Sequence, residues 1–166
     1  MKRAVILGEC QGGVVEASMP RSKEDWVLVK IHAAPLCTEY KMFTAGEKAA
    51  HLGHEAAGEV VEIAQPGRVK VGDRVAVMPQ YPCGTCTLCR SGEYIHCENV
   101  VDFTAFTGSD EGRATVAQYL LKQDWLLTPI PDDISYDHGA MACCGLGPTF
   151  GAFERMQVRG VDTVLI

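Results

Sequence analysis

Cys83, Cys86, Cys89 and Cys97 follow the pattern C-x-x-C-x-x-C-x7-C, a spacing that lets four thiolates converge on one tetrahedral ion, with Gly84 and Gly92 easing the turns. Four soft sulfur donors favour zinc, and a closed shell of them leaves no position for water or substrate. The lobe around residues 80–100 is therefore expected to hold a structural zinc ion and to do no chemistry. Ferredoxin clusters also use C-x-x-C-x-x-C, but there the fourth Cys follows closely and precedes Pro, whereas here the gap is longer and Glu98 follows Cys97. Four unliganded core thiols would sit badly among Thr85, Thr87, Arg90, Ser91 and Glu93.

The chain has eight Cys, and the other four divide differently: Cys37 stands alone, Cys143 and Cys144 are adjacent, and Cys10 is left over. His54 lies in Gly53-His54-Glu55. Taken singly, a buried thiol is usually a small hydrophobe and a His is usually hydrogen-bonded, so none of these residues is a ligand on its own merits.

The elements that must position these groups start with strands. Arg3 to Leu7 is short and apolar, and Trp26 to Ile31 puts Val27, Val29 and Ile31 on one face. Gly12-Gly13 and the segment around Pro20 carry turn chemistry. Cys37 to Thr44 fits a short helix or an irregular turn. Glu59 to Ile63, Arg74 to Met78 and Val116 to Leu121 read as further strands, the second of them entered through a Gly72-Asp73 turn. After Pro129 and Pro131, Ser135 can cap a helix running through Ala140-Met141-Ala142, with Asp137 in its first turn, and a second helix follows Pro148. Gly160 to Ile166 reads as a turn feeding a buried parallel strand. No internal repeat or low-complexity tract interrupts the chain.

A length of 166 residues with 47% hydrophobic and 22% charged content is enough to bury a core. The net charge of −6 argues against nonspecific binding to nucleic acid or to anionic membrane, which needs clustered Lys and Arg. No apolar run reaches the roughly 20 residues of a membrane span, and Ala4-Val5-Ile6-Leu7 is too short for a signal-peptide core. Cysteines serving as metal ligands suit a reducing compartment, so a cytoplasmic location is expected.

Cys37, then Gly53-His54-Glu55-Ala56-Ala57-Gly58-Glu59-Val60, then Val71-Gly72-Asp73-Arg74-Val75, then the four-cysteine lobe, then Cys144-Gly145: this order resembles the medium-chain zinc alcohol dehydrogenases over nearly the whole chain. The resemblance implies a mainly β fold with α (α+β). Residues 1–160 would form a GroES-like, partly open β-barrel catalytic domain, and residues 161–166 would begin a truncated Rossmann domain that binds NAD or NADP. It also implies that Cys37, His54 and Cys144 bind a second, catalytic zinc, giving two Zn²⁺ per chain, with Cys143 the alternative third ligand and Glu55 behind them. Two thiolates and one imidazole leave a fourth position open for water or a substrate oxygen.

The implied reaction is hydride transfer between a small alcohol or carbonyl substrate and NAD(P). The full-length protein would be a homo-oligomer, dimer or tetramer, and the chain alone would bind zinc without turning over. A free-standing, non-enzymatic zinc module is the competing reading.

The sequence departs from the family at the proton relay. The family places a hydroxyl two residues after the first zinc Cys and an Asp next, where this chain has Glu39 and Tyr40. Thr38, displaced by one residue, and Glu39 are both candidates for the relay; Glu39 is expected to take the hydroxyl's role, and a carboxylate there could serve as general base or as an alternative ligand. His51 is a candidate outer proton acceptor, and Met42 stands where some relatives place a relay His. Phe43, Phe103, Phe106 and Trp125 are either pocket lining or plain core. Cys10, His32, His96 and His138 carry no motif.

Overall fold

The computed structural model describes residues 1–165. Its β-branched and aromatic runs form strands, as their fit to a pleated, half-buried surface dictates. β1 (Lys2–Gly8) and β2 (Gln11–Glu16) make an antiparallel hairpin. β3 (Trp26–Ala33), β4 (Ala56–Glu62), β5 (Arg74–Val77), β6 (Tyr119–Gln123) and β7 (Leu127–Pro129) form a five-stranded antiparallel sheet in the order β6-β3-β4-β5-β7. The hairpin is stitched to the run entering β6, where the Ala4 amide donates to Val116 O (2.9 Å) and the Gln118 amide to Lys2 O (3.0 Å). With Ile6 N to Ala49 O at 2.8 Å on its other side, the hairpin continues the curl of the sheet into a half-barrel.

Successive residues of a strand face opposite ways. Val27 and Val29 of β3 meet Val60, Val75, Val77 and Leu120 in one core, and Trp26 and Leu28 meet Phe103 and Leu121 in another, so β3 is covered on both faces. Trp26 stacks on Tyr81 with centroids 5.5 Å apart and on Phe106 at 5.0 Å. β3 and β4 approach so closely beside their bulges that a Cβ on Gly58 would stand 2.1 Å from the Lys30 carbonyl oxygen.

The helices are short: α1 (Glu39–Ala45), α2 (Thr87–Arg90), α3 (Phe103–Thr107), α4 (Tyr136–Ala140) and α5 (Gly147–Met156). Side-chain caps start three of them, with Cys86 accepting from Cys89 N, Asp102 from Ala105 N and Ser135 from His138 N. Ala140 of α4 packs with Ala57, Ala76 and Ile130 against β4 and β5. α5 buries no residue, and Leu146, Phe150 and Met156 beside or on it are exposed. No helix among the described residues is long and apolar enough to cross a membrane.

Several boundaries differ from the sequence expectations. Gly12 and Gly13 lie inside β2, because β1 supplies the ladder that steadies them, and the turn falls instead on Glu9-Cys10, with Cys10 at φ 52°. β4 starts at Ala56, ahead of Glu59. Residues 116–118 bond to β1 and β3 from outside any named strand, so β6 starts only at Tyr119. α4 stops at Ala140. Asp162–Leu165 form no strand: Gly160-Val161 make the expected turn, closed by Asp162 N to Arg159 O at 2.9 Å, but no strand among the described residues supplies a ladder, and Val161 and Leu165 are exposed. Ile166 lies outside the described residues.

Candidate functional site

Two clusters of ligating side chains stand out among the described residues, each with its donor atoms all within 4.8 Å of one another: Cys83, Cys86, Cys89 and Cys97, and Cys37, His54, Glu55 and Cys144. In the first, the α2 turn brings Cys86 and Cys89 together and the short 3₁₀ turn Tyr94–His96 delivers Cys97. Backbone amides aim at sulfur throughout: Cys83 N donates to Cys97 Sγ (3.3 Å), Cys86 N to Cys83 Sγ (3.4 Å) and Cys89 N to Cys86 Sγ (3.5 Å). The Thr85 amide and hydroxyl, joined by the Cys86 amide, lower the Cys83 thiol to about 6, which favours the ligating thiolate. Cys83 and Cys89 sulfurs stand 3.9 Å apart. That is far beyond a disulfide bond, and it is about the edge of a tetrahedron whose Zn–S arms are about 2.3 Å.

The second cluster draws on distant segments. Cys37 precedes α1, His54 and Glu55 precede β4, and Cys144 lies between α4 and α5. Gly53 sits at φ 86°, where a Cβ would fall 2.3 Å from Thr115 Oγ1, so only glycine allows the turn that presents His54. The Cys37 and Cys144 sulfurs are 3.8 Å apart, again close to the edge of a zinc tetrahedron. His54 Nδ1 lies 2.8 Å from Glu39 Oε1, which leaves Nε2 facing the cluster, 3.8 Å from Glu55 Oε1. Glu39 Oε2 accepts the Cys37 amide at 2.8 Å. Burial alone would raise the Glu39 carboxyl, but its own backbone amide, the Cys37 amide and His54 outweigh burial and hold it below the usual carboxylate range. Glu55 is 3% exposed, and its Oε2 accepts the Gly145 amide at 3.1 Å, tying the strand side of the cluster to the Cys144 segment. Burial, with the neighbouring Cys37 thiol, pushes the Cys144 thiol up to about 11. The donor set of two sulfurs, one imidazole nitrogen and one carboxylate suits zinc, and a zinc ion would offset the desolvation of these groups.

The other residues singled out from the sequence divide around this cluster. Thr38 occupies the N-cap position of α1 without making a side-chain cap and is exposed. His51 is placed elsewhere, its Nε2 4.0 Å from Glu111, which is itself bonded to Arg3 at 3.0 Å. Cys143 Sγ lies 3.4 Å from Val77 O. Phe103 and Phe106 pack on Trp26, and Trp125 meets Tyr94 at 5.6 Å. Phe43 packs near Gly12.

A cleft of about 670 Å³ is bordered by His54, Cys144, Met78, Gln80, Ile95 and Ala152, among others, so the four-cysteine lobe and α5 both contribute to its lining. None of the four candidate aromatics borders it. Sequence reasoning missed Gln80 and Ile95. The lobe's second half, between Cys89 and Cys97, was the signal for Ile95, and nothing in the local pattern marked Gln80.

A family model described as the alcohol dehydrogenase GroES-like domain matches residues 23–132. A sorbitol dehydrogenase of Bacillus subtilis is 33% identical over 85% of this chain and 41% of its own length. An uncharacterized zinc-type alcohol dehydrogenase-like protein of Escherichia coli, YphC, is 31% identical over 100% of this chain and 50% of its own. The solved alcohol dehydrogenase TADH from Thermus sp. ATN1 superposes with a TM-score of 0.77 at 25% identity, covering 96% of this chain and 48% of that one. The chain thus spans about half the length of the relatives it matches. With the half-barrel sheet and both ligand clusters in place, the chain belongs to the medium-chain zinc-type alcohol dehydrogenase family, as its GroES-like domain.

Proposed function

We propose that this domain is the zinc-binding catalytic part of an oxidoreductase that transfers hydride between a small alcohol or carbonyl compound and NAD(P), with the nucleotide held by residues outside this chain. The observation that carries the reading is the cluster of Cys37, His54 and Cys144 beside an open cleft, next to a second cluster whose four thiolates form a closed shell. When bound there, zinc supplies Lewis acidity toward the substrate oxygen.

The chain's own groups prepare that site. Cys37 and Cys144 as thiolates would cancel the double charge of the ion, and Glu39 fixes the His54 tautomer that frees Nε2 for it. Both Glu39 oxygens are engaged, which supports a positioning role for this residue rather than a place in the relay. Thr38, with a hydroxyl that caps nothing, then becomes the group best suited to pass a proton outward. His51, whose Nε2 lies 4.0 Å from Glu111 and outside the ligand cluster, gains no support as an outer acceptor.

The test is metal content per chain by elemental analysis, on the protein and on its Cys37→Ser and Cys83→Ser variants. Near two zinc ions, falling to one in each variant, is the expected result. A single ion lost only with Cys83→Ser would overturn the reading.

A further inference from the structure

The outer edge of β2 has no partner strand among the described residues. Its neighbour decides which groups it exposes. In β1 the Ala4 amide donates to Val116 O (2.9 Å), Ile6 exchanges bonds with Ala49 (2.8 and 3.1 Å) and Lys2 O accepts the Gln118 amide (3.0 Å), so these residues turn away from β2. Backbone groups alternate sides along a strand, so Arg3 and Val5 bond across to Val15 and Gly13. The amides and carbonyls of Gly12, Val14 and Glu16 then point outward, and among the described residues none of them has a hydrogen-bond partner. All three residues are exposed, Val14 at 69%. Natural edge strands are commonly guarded by Lys, Pro or a bulge. β2 contains neither Lys nor Pro, and the irregularity of the hairpin falls at Ile6–Gly8, near the turn. The edges of the larger sheet are shorter or covered: β7 has three residues, and on β6 the Leu121 amide donates to Gly112 O at 2.8 Å.

We infer that β2 is an interface with a second copy of this chain, the two β2 strands pairing antiparallel across a two-fold axis at Val14. That register sets Val14 opposite Val14 and Gly12 opposite Glu16, so every outward amide and carbonyl of the three residues finds a partner. The side chains fit the same register. Gly12 leaves room for Glu16 of the other copy, the two Val14 side chains meet at the axis, and Glu16, the one charge in β2, faces no like charge. The chain carries a net charge of −6, but in the hairpin the N-terminal amine, Lys2 and Arg3 stand against Glu9 and Glu16, so two copies can meet there without like-charge repulsion. A foreign extended peptide fits this edge less well. Strand addition draws its specificity from pockets for alternate side chains, and a strand built on Gly12, Gly13 and a protruding Val14 has little side-chain relief with which to form them. The inference is independent of the hydride-transfer reading.

The experiment measures the mass of the full-length, zinc-loaded protein by sedimentation equilibrium. The wild type should form an even-numbered assembly. Val14→Lys, which sets two ammonium groups against each other at the axis on an already exposed position, should halve its mass. The register is tested by cross-linking in a Cys10→Ser background, which removes the exposed native thiol of the hairpin. Under copper–phenanthroline oxidation Val14→Cys should give an interchain disulfide, because Cα atoms of a directly opposed hydrogen-bonded pair stand about 5.5 Å apart, within disulfide reach. Glu16→Cys, whose counterpart lies well along the ladder on the other side of the axis, should not. A monomeric wild type leaves the edge to some other occupant and overturns the inference. An unchanged mass in Val14→Lys, no cross-link at Val14→Cys, or one that forms as readily at Glu16→Cys overturns it as well.

Discussion

Glu39 and Lys122 show how much a single side chain decides here. Glu39 joins Cys37 and His54, two residues of one cluster, through its two carboxylate oxygens. Partners of this kind behind a metal-ligating His are typically worth about 10–100-fold in metal affinity. Glu39→Gln should therefore weaken zinc at this site by about that factor in a chelator competition, with the four-cysteine site unchanged.

Lys122 is 1% exposed, its Nζ 3.6 Å above the Tyr81 ring, and burial lowers its amine from 10.5 to about 7, opposed only by the thiol of Cys143. Below about pH 7 the amine is charged in both folded and unfolded chains, so the burial penalty is felt in full. Between about 7 and 10 the unfolded chain keeps the proton and the folded one does not, so stability rises with pH at up to about 1.4 kcal/mol per unit. Denaturant titrations across that range should show the slope in the wild type and lose it in Lys122→Met.

At the scale of the elements, two glycines hold the geometry of the strands and of the turn that carry His54. Gly58→Ala would drive a methyl into the Lys30 carbonyl between β3 and β4, and a loss of about 3 kcal/mol or more in unfolding free energy is expected by denaturant titration. Gly53→Ala would displace the turn before His54. The elements were legible in the sequence where hydrophobic alternation or a cap marked them: Trp26 to Ile31 gave β3, and Ser135 gave the start of α4. They were hidden where tertiary pairing overrides local preference. Gly12-Gly13 has turn chemistry yet forms β2 because β1 lies beside it, and the three-residue β7 exists only through its pairing with β5. The thiols and the imidazole that the fold gathers into the two clusters were visible from their residue types and order. The Glu39 link and the cleft position of Gln80 were not, since both depend on where separate segments meet.

For the molecule as a whole, the four-cysteine lobe and the sheet are distinct bodies of structure. The lobe has short helical turns and few buried residues, Pro82 and Cys89 among them, whereas the sheet buries both faces of β3. Stripping the lobe of metal should leave residues 84–100 as the first site of limited proteolysis, with amide exchange in β3 and β4 still slow.

The two ligand clusters also differ in the length of chain they close. Cys83 and Cys97 are 14 residues apart, while Cys37 and Cys144 are separated by 107. Closing the longer loop costs about 2 kcal/mol more in chain entropy, and contacts of such separation form late in folding. A nascent or refolding chain given zinc should therefore fill the lobe first and the Cys37, His54, Cys144 site only after the half-barrel has closed. The second ion then serves as a chemical record that folding has finished.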